Sequence, residues 1–299
     1  MTHSMLDLLR IRANRIYEEG IRLIGNFSAM HPANTPGDSV VLISPGGNQF
    51  WNDLPPAGKQ IQVKLLPEIG RFSELVRALT RNLPNGVQNN MQGALETIRR
   101  SVEQEGTTWW KSRDEAVEGF RSLIEEIINT LEKYCNSSTG EALAIADTNA
   151  LIHNPDIEHW HFEDVKMFTV VLTPTVLSEL DKHKMNHKNQ QVREKASSVI
   201  RRIKEYRRRG SLQDGVDVVK GRVALRSIAN EPNMDQSLSW LDSANADDRF
   251  LASAIDVMRA DLAMRAFIVT SDINLQNKAE MAGLPFCEVP SSMAEKGEQ

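Results

Sequence analysis

Leu6, Leu9, Ile11, Ile16, Ile21 and Leu23 lay a broad apolar pattern over residues 5–24, which predicts a first helix. Between Met30 and Gly58 that order gives way to clusters of Pro, Gly, Asn and Asp. Within them Ser39-Val-Val-Leu-Ile43 reads as a short strand and Ser44-Pro-Gly-Gly-Asn48 forces a turn. Three more helices are expected over roughly residues 67–82, 87–102 and 113–134, parted by Pro84-Asn-Gly86 and by the stretch around Gly106. Asn136-Ser-Ser-Thr-Gly140 is the best candidate linker, so residues 1–138 read as a mainly helical region and residues 139–299 as a second domain.

Beyond the linker the period changes. Short β-branched runs at residues 142–146, 167–172, 266–270 and 286–289 alternate with amphipathic stretches, the signature of βαβ units and an α/β fold with a parallel sheet. Helices are expected after Thr173-Pro174, over residues 190–209 and 246–259, and over residues 274–282 ending at Gly283. Thr173 serves as cap, Pro174 as first helical residue and Gly283 as left-handed terminator.

Bulk properties narrow the setting. A hydrophobic content of 40% with 25% charged residues suits a globular protein, and no apolar run is long enough to cross a bilayer, which excludes membrane insertion. No basic stretch followed by an apolar one opens the chain, so a cytoplasmic location is expected. The two cysteines, Cys135 and Cys287, form no CxxC or Cys/His pattern, so neither a disulfide framework nor structural zinc is suggested. The net charge of −5 conceals a segregation: residues 182–226 hold 14 Lys+Arg against 4 Asp+Glu, a local excess of +10 that leaves −15 for the rest.

The acids carry the candidate chemistry. Asp147 follows Leu143-Ala-Ile-Ala146 and Asp272 follows Phe267-Ile-Val-Thr270, so both stand where a strand ends at the carboxyl edge of the sheet, the edge at which open α/β sheets bind ligands. Glu179 lies about one and a half turns into the helix that opens at Pro174, beside a buried face of Val176, Leu177 and Leu180. Asp247 and Asp248 occupy the first turn of a helix that Asn245 can cap. Taken singly, each has a structural explanation: a helix-start acid, an Asx turn or a solvated helix residue. Taken as a set, converging anions repel unless a cation joins them, so these acids are expected to meet in one pocket and share a metal. All-oxygen ligation suits Mg²⁺ or Mn²⁺ rather than zinc, and ions so held suit phosphodiester hydrolysis.

Four ordered segments add a resemblance. Ile145-Ala-Asp-Thr-Asn-Ala-Leu-Ile-His-Asn-Pro155, Val171-Leu-Thr-Pro-Thr-Val-Leu-Ser-Glu-Leu-Asp-Lys182, Asn245-Ala-Asp-Asp-Arg-Phe-Leu-Ala252 and Val269-Thr-Ser-Asp-Ile-Asn-Leu-Gln-Asn-Lys278 together resemble a PIN domain, especially the PIN modules of PhoH-like proteins. The resemblance spans roughly residues 141–290 and implies a Rossmann-like sheet with Mg²⁺- or Mn²⁺-dependent ribonuclease activity. It implies Asp147, Glu179, Asp248 and Asp272 as metal-binding, catalytic acids, with Asn149 and Ser271 orienting carboxylates or water. The doubled acid leaves open whether Asp247 or Asp248 reaches the metal, the family pattern favouring Asp248. Nothing in the first 140 residues resembles that family.

Along residues 189–209, Val192, Ala196, Val199, Ile203 and Tyr206 keep helical spacing and leave Arg193, Arg201, Arg202, Arg208 and Arg209 largely outside the apolar stripe. With Lys182, Lys184 and Lys188 just before, this basic helix is expected to hold a phosphate backbone, the alternative being a solvated charged face. The cluster of His153, His159 and His161 reads as a loop, and Trp109-Trp110 as buried packing. The resulting expectation is a metal-dependent endoribonuclease preceded by a helical region that leaves room for a homodimer or a regulatory partner. Its rivals are a DNA-directed nuclease of the flap-endonuclease type and a non-catalytic RNA-binding or scaffolding module.

Overall fold

The computed structural model describes residues 3–32, 49–134 and 141–290. The strand expected at residues 39–43, the turn at 44–48, the linker at 136–140 and the thiol of Cys135 lie outside the described residues. The chain divides into two compact units, Leu8–Tyr134 and a second comprising Cys135–Gln299 with Met1–Asp7.

The N-terminal unit is built from the helices α1 (Met5–Phe27, its first residues grouping with the other unit), α2 (Pro56–Leu79), α3 (Asn85–Glu103) and α4 (Arg113–Tyr134). The short antiparallel strands β1 (Met30–Pro32), β2 (Gln49–Trp51) and β3 (Thr107–Thr108) complete it. Its core is one apolar stripe from each helix: Leu9, Ile16 and Leu23; Ile69, Phe72 and Leu75; Leu95 and Ile98; Phe120, Ile127 and Leu131. Gly20 permits the contact of α1 with α4, since a Cβ there would stand 2.4 Å from the Phe120 ring. The helix expected at residues 67–82 in fact begins at Pro56 and runs through Pro67. Pro56 suits a first turn, and the carbonyl that Pro67 leaves without an intrahelical donor belongs to Val63, a residue 69% exposed and open to water. Trp110 covers Gly119, but Trp109 is 47% exposed, which corrects the expectation that both tryptophans are buried.

The second unit has the expected α/β architecture. In chain order it runs β4 (Ala142–Ala146), α5 (Thr148–His153), β5 (Phe168–Leu172), α6 (Pro174–Asn186), α7 (Gln190–Arg207), β6 (Val216–Val219), β7 (Val223–Ser227), α8 (Ala246–Ala260), β8 (Arg265–Val269), α9 (Ile273–Ala282) and β9 (Phe286–Cys287). Among the described residues the sheet order is β6-β7-β5-β4-β8-β9, parallel except for β6. Every residue of β4 and of β5 is buried, as strands covered on both faces must be. The hairpin β6–β7 was not expected: its alternation of buried and half-exposed positions is too short to signal a strand, and pairing of β7 with β5 extends the sheet. Trp160, wholly buried, donates its indole N–H to the Asn154 carbonyl at 3.1 Å and anchors to the core the loop, with one 3₁₀ turn, that holds His159 and His161, whereas His153 is the last residue of α5 and so corrects the loop expectation there. No described helix is long and apolar enough to cross a membrane.

This strand order places the functional edge. From β4 the chain builds outward through β5 to β7 on one side, then returns to place β8 on the other side of β4. The switch in direction therefore falls between the carboxyl ends of β4 and β8, the kind of position at which open α/β sheets bind ligands.

Candidate active site

Asp147 is the first residue beyond β4 and caps α5. Its backbone N–H still donates to Val269 at the end of β8, at 3.1 Å, so the residue is fixed at the switch point by the sheet itself. The side chain is only 5% exposed. Oδ1 accepts from the Ala150 amide at 2.5 Å and Oδ2 accepts from the Thr270 hydroxyl at 2.5 Å. Burial raises the Asp147 carboxyl to about 6, against the pull of those two hydrogen bonds; the charges of Asp272 and Glu179 push in the same direction as burial.

Those two charges arrive from other elements. Asp272 caps α9, its Oδ1 accepting from the Asn274 and Leu275 amides at 2.8 and 3.4 Å while its own N–H donates to the Thr270 hydroxyl at 3.0 Å. Its Oδ2 faces the Asn149 side-chain amide at 3.4 Å. Glu179 sits on α6, which Thr173 caps by accepting from Val176 and which packs against α5. The Glu179 Oε2 accepts from the Thr148 hydroxyl at 2.6 Å. Asp147, Glu179, Asp272 and Asn149 thus meet around the ends of β4 and β8, and Ser271 lies exposed beside them.

Asp248 is differently engaged. In the first turn of α8 it is 6% exposed, with Oδ1 accepting from Lys278 Nζ at 2.7 Å and Oδ2 accepting from the Asp242 amide at 3.0 Å. Asp247 is more open and lies 3.4 Å from the same ammonium. Partial burial pulls the Lys278 ammonium down, but the hydrogen bonds and charges of Asp248 and Asp247 outweigh it and hold the group above its ordinary value.

Among the described residues, no three His, Cys, Asp or Glu side chains are already set about a common metal position. Each of the four carboxylates accepts instead from a donor within the chain. The donor chemistry still fits a hard divalent cation. The ligand atoms are carboxylate oxygens, each with lone pairs beyond those its hydrogen bonds use, and a carboxyl raised chiefly by burial and further by two neighbouring anions is a place where a cation relieves repulsion.

The basic segment sorts itself by partner. Arg202 is committed inside the unit, to Asp156 at 2.6 Å, to both oxygens of Glu158 at 3.1 Å and to the Pro155 carbonyl at 3.0 Å. Arg193 donates to the His187 carbonyl at the junction of α6 and α7, a C-terminal capping role. Arg209 lies over the Tyr206 ring at 5.1 Å. Lys182, Lys188, Arg201, Arg208 and Arg209 are exposed and Lys184 half-buried.

Three contributors were not singled out from sequence: Thr148, Thr270 and Lys278. The first lies within Asp147-Thr-Asn149 and the last two within the segment around Asp272, so their signal was proximity to a candidate acid.

Residues 144–289 match the family model of the PIN domain, a family made up chiefly of metal-dependent nucleases. The match does not single out the PhoH-like branch. A comparison with curated proteins finds no match to the chain.

Proposed function

Because residues 144–289 are a PIN domain, we propose that this protein is an endoribonuclease that hydrolyses RNA phosphodiester bonds at the carboxyl ends of β4 and β8, using Mg²⁺ or Mn²⁺. The observation that carries the proposal is the convergence of Asp147, Glu179 and Asp272 from three separate elements, close enough that the charges of the last two add to burial in raising the first.

In this reading Asp147, Asp272 and Glu179 hold the metal, and Asp248, held by Lys278, stands in the first turn of α8. When bound, a divalent ion supplies Lewis acidity and a water acidic enough to attack phosphorus near neutral pH. Thr270 aims Asp147 through its hydroxyl and is itself held by the Asp272 amide, so one side chain orients two acids. Thr148 does the same for Glu179, and Asn149 restrains Asp272. The exposed cations Lys182, Lys188, Arg201 and Arg208, at the end of α6 and along α7, attract a phosphate backbone without reading sequence.

The test is incubation of the full chain with labelled single-stranded RNA and with DNA of the same sequence, in Mn²⁺, Mg²⁺ or EDTA, beside Asp147→Asn. Metal-dependent cleavage of RNA that disappears in the variant is expected. Equal activity in the two proteins rejects the site, and cleavage confined to DNA rejects the substrate.

A further inference from the structure

Apart from the acids at the sheet edge, the second unit carries a cavity of about 640 Å³, bounded by α6, the last turns of α7, the loop from α7 to β6 and the end of β7. That volume lies within the range of pockets that take small ligands, about 300–1,000 Å³. On α6 the cavity is lined by Leu177 and Asp181, one turn apart. Glu179 stands two residues from each, so it is turned about 200° from them around the helix. The cavity and the candidate active site thus lie on different faces of α6.

The walls are of two kinds. Leu177, Ile200, Ile203 and Leu212 come from three segments and are all only half-buried, which leaves an aliphatic surface for an apolar body to cover. Lys204 and Arg207, exposed in the last turn of α7, stand beside it, and among the described residues neither is paired with a carboxylate. The helix dipole by itself accounts for cations in a last turn, but not for aliphatic side chains gathered next to them. From α6, Asp181 brings a carboxylate, while Ser211 and Ser227 add hydroxyls. The frame is fixed before any ligand arrives: the Ser227 N–H donates to the Leu212 carbonyl at 2.8 Å and the Gly215 N–H to the Ser211 carbonyl at 3.0 Å.

We propose that this cavity binds a 5′-ribonucleotide, free or at the end of an RNA strand. The aliphatic wall takes the base, Lys204 and Arg207 take the phosphate, and Asp181 accepts from the ribose hydroxyls, as acidic side chains do in nucleotide sites. Each part of the lining answers one part of that ligand. Inorganic phosphate leaves the aliphatic wall uncovered, and an uncharged apolar molecule leaves both cations unused. This binding site goes beyond the nuclease reading and does not depend on it.

Calorimetric titration of the full chain in EDTA, which withholds metal from the candidate active site, tests the proposal without turnover. The probes are adenosine, guanosine, cytidine and uridine 5′-monophosphates, and a 5′-phosphorylated RNA trinucleotide. Saturable binding at one site per chain is expected for at least one of them. Arg207→Ala should weaken it about tenfold, the loss of one charge-assisted contact, and should leave binding of the matching nucleoside without phosphate unchanged. Asp181→Ala should weaken the ribonucleotide about tenfold and leave its 2′,3′-dideoxy analogue unchanged. Both positions are exposed, so neither substitution disturbs the core. Tighter binding of the trinucleotide than of any monophosphate, still sensitive to Arg207→Ala, assigns the cavity to an RNA end, and the reverse order assigns it to a free nucleotide. No saturable binding of any probe, or binding that either substitution leaves untouched, overturns the proposal and leaves the nuclease reading standing.

Discussion

Replacing Asp147 by Asn should make the metal-free protein more stable at neutral pH, although it removes the central acid of the site. In the unfolded chain this carboxyl titrates at its ordinary 3.8, and in the folded protein at about 6, chiefly because it is buried. Folding therefore favours the protonated acid. That contribution is complete below the unfolded value and is lost as pH rises through about 6. At 1.36 kcal/mol per pH unit the ionised carboxylate costs the fold about 3 kcal/mol at pH 7. Asn cannot ionise and keeps the acceptor for the Ala150 amide, but it turns an acceptor into a donor opposite the Thr270 hydroxyl, a loss of about 1 kcal/mol. A net gain of about 2 kcal/mol should raise the melting temperature of the second unit by roughly 4–8 °C. The assay is thermal unfolding in EDTA between about pH 4 and pH 8, comparing the two proteins at each pH so that other titrating groups cancel. The advantage of Asn should vanish near pH 4 and grow to its full value by about pH 7. Adding Mn²⁺ at about a hundred times its dissociation constant should stabilise the wild type by about 2.7 kcal/mol and leave the variant unmoved. An Asn variant that is less stable at pH 7 in EDTA, or a difference that does not change with pH, would refute the reasoning.

Two further substitutions probe how the site is supported. Thr148→Val removes the hydroxyl that donates to Glu179 while preserving shape, so cleavage should slow about tenfold with stability changed by about 1 kcal/mol or less, read from single-turnover kinetics and urea unfolding. Among the basic residues, Arg201→Ala with Arg208→Ala should flatten the logarithmic salt dependence of RNA binding by about 1.4, two single-strand phosphate contacts' worth. Arg202→Ala should leave that slope unchanged and lower stability by about 1 kcal/mol, because its guanidinium is spent on Asp156, Glu158 and Pro155.

Period and punctuation made most of the second unit legible. The strand at 142–146 and the helix opening at Pro174 follow from an unbroken apolar run and from a Thr-Pro start, both local signals, and the helix at 113–134 in the first unit is equally local. The hairpin at residues 216–227 was not legible, since half-buried strands at the margin of a sheet owe their existence to a neighbour, here β5. Nor was the helix through Pro67, where an exposed turn tolerates what propensity forbids.

For the candidate site the division runs along the same line. Residue identity alone determined which carboxylates stand just past strands and in first helical turns, because those positions are set by the chain immediately around them. Only tertiary structure decided how they are grouped. Pairing of β4 with β8 brings Asp272 toward Asp147, and the packing of α6 on α5 brings Glu179 to Thr148. The position of α9 turns Lys278 onto Asp248. These contacts join residues tens to more than a hundred positions apart, and no local pattern encodes them: electrostatic neighbours are chosen by the fold, whereas the charges themselves are written in the chain.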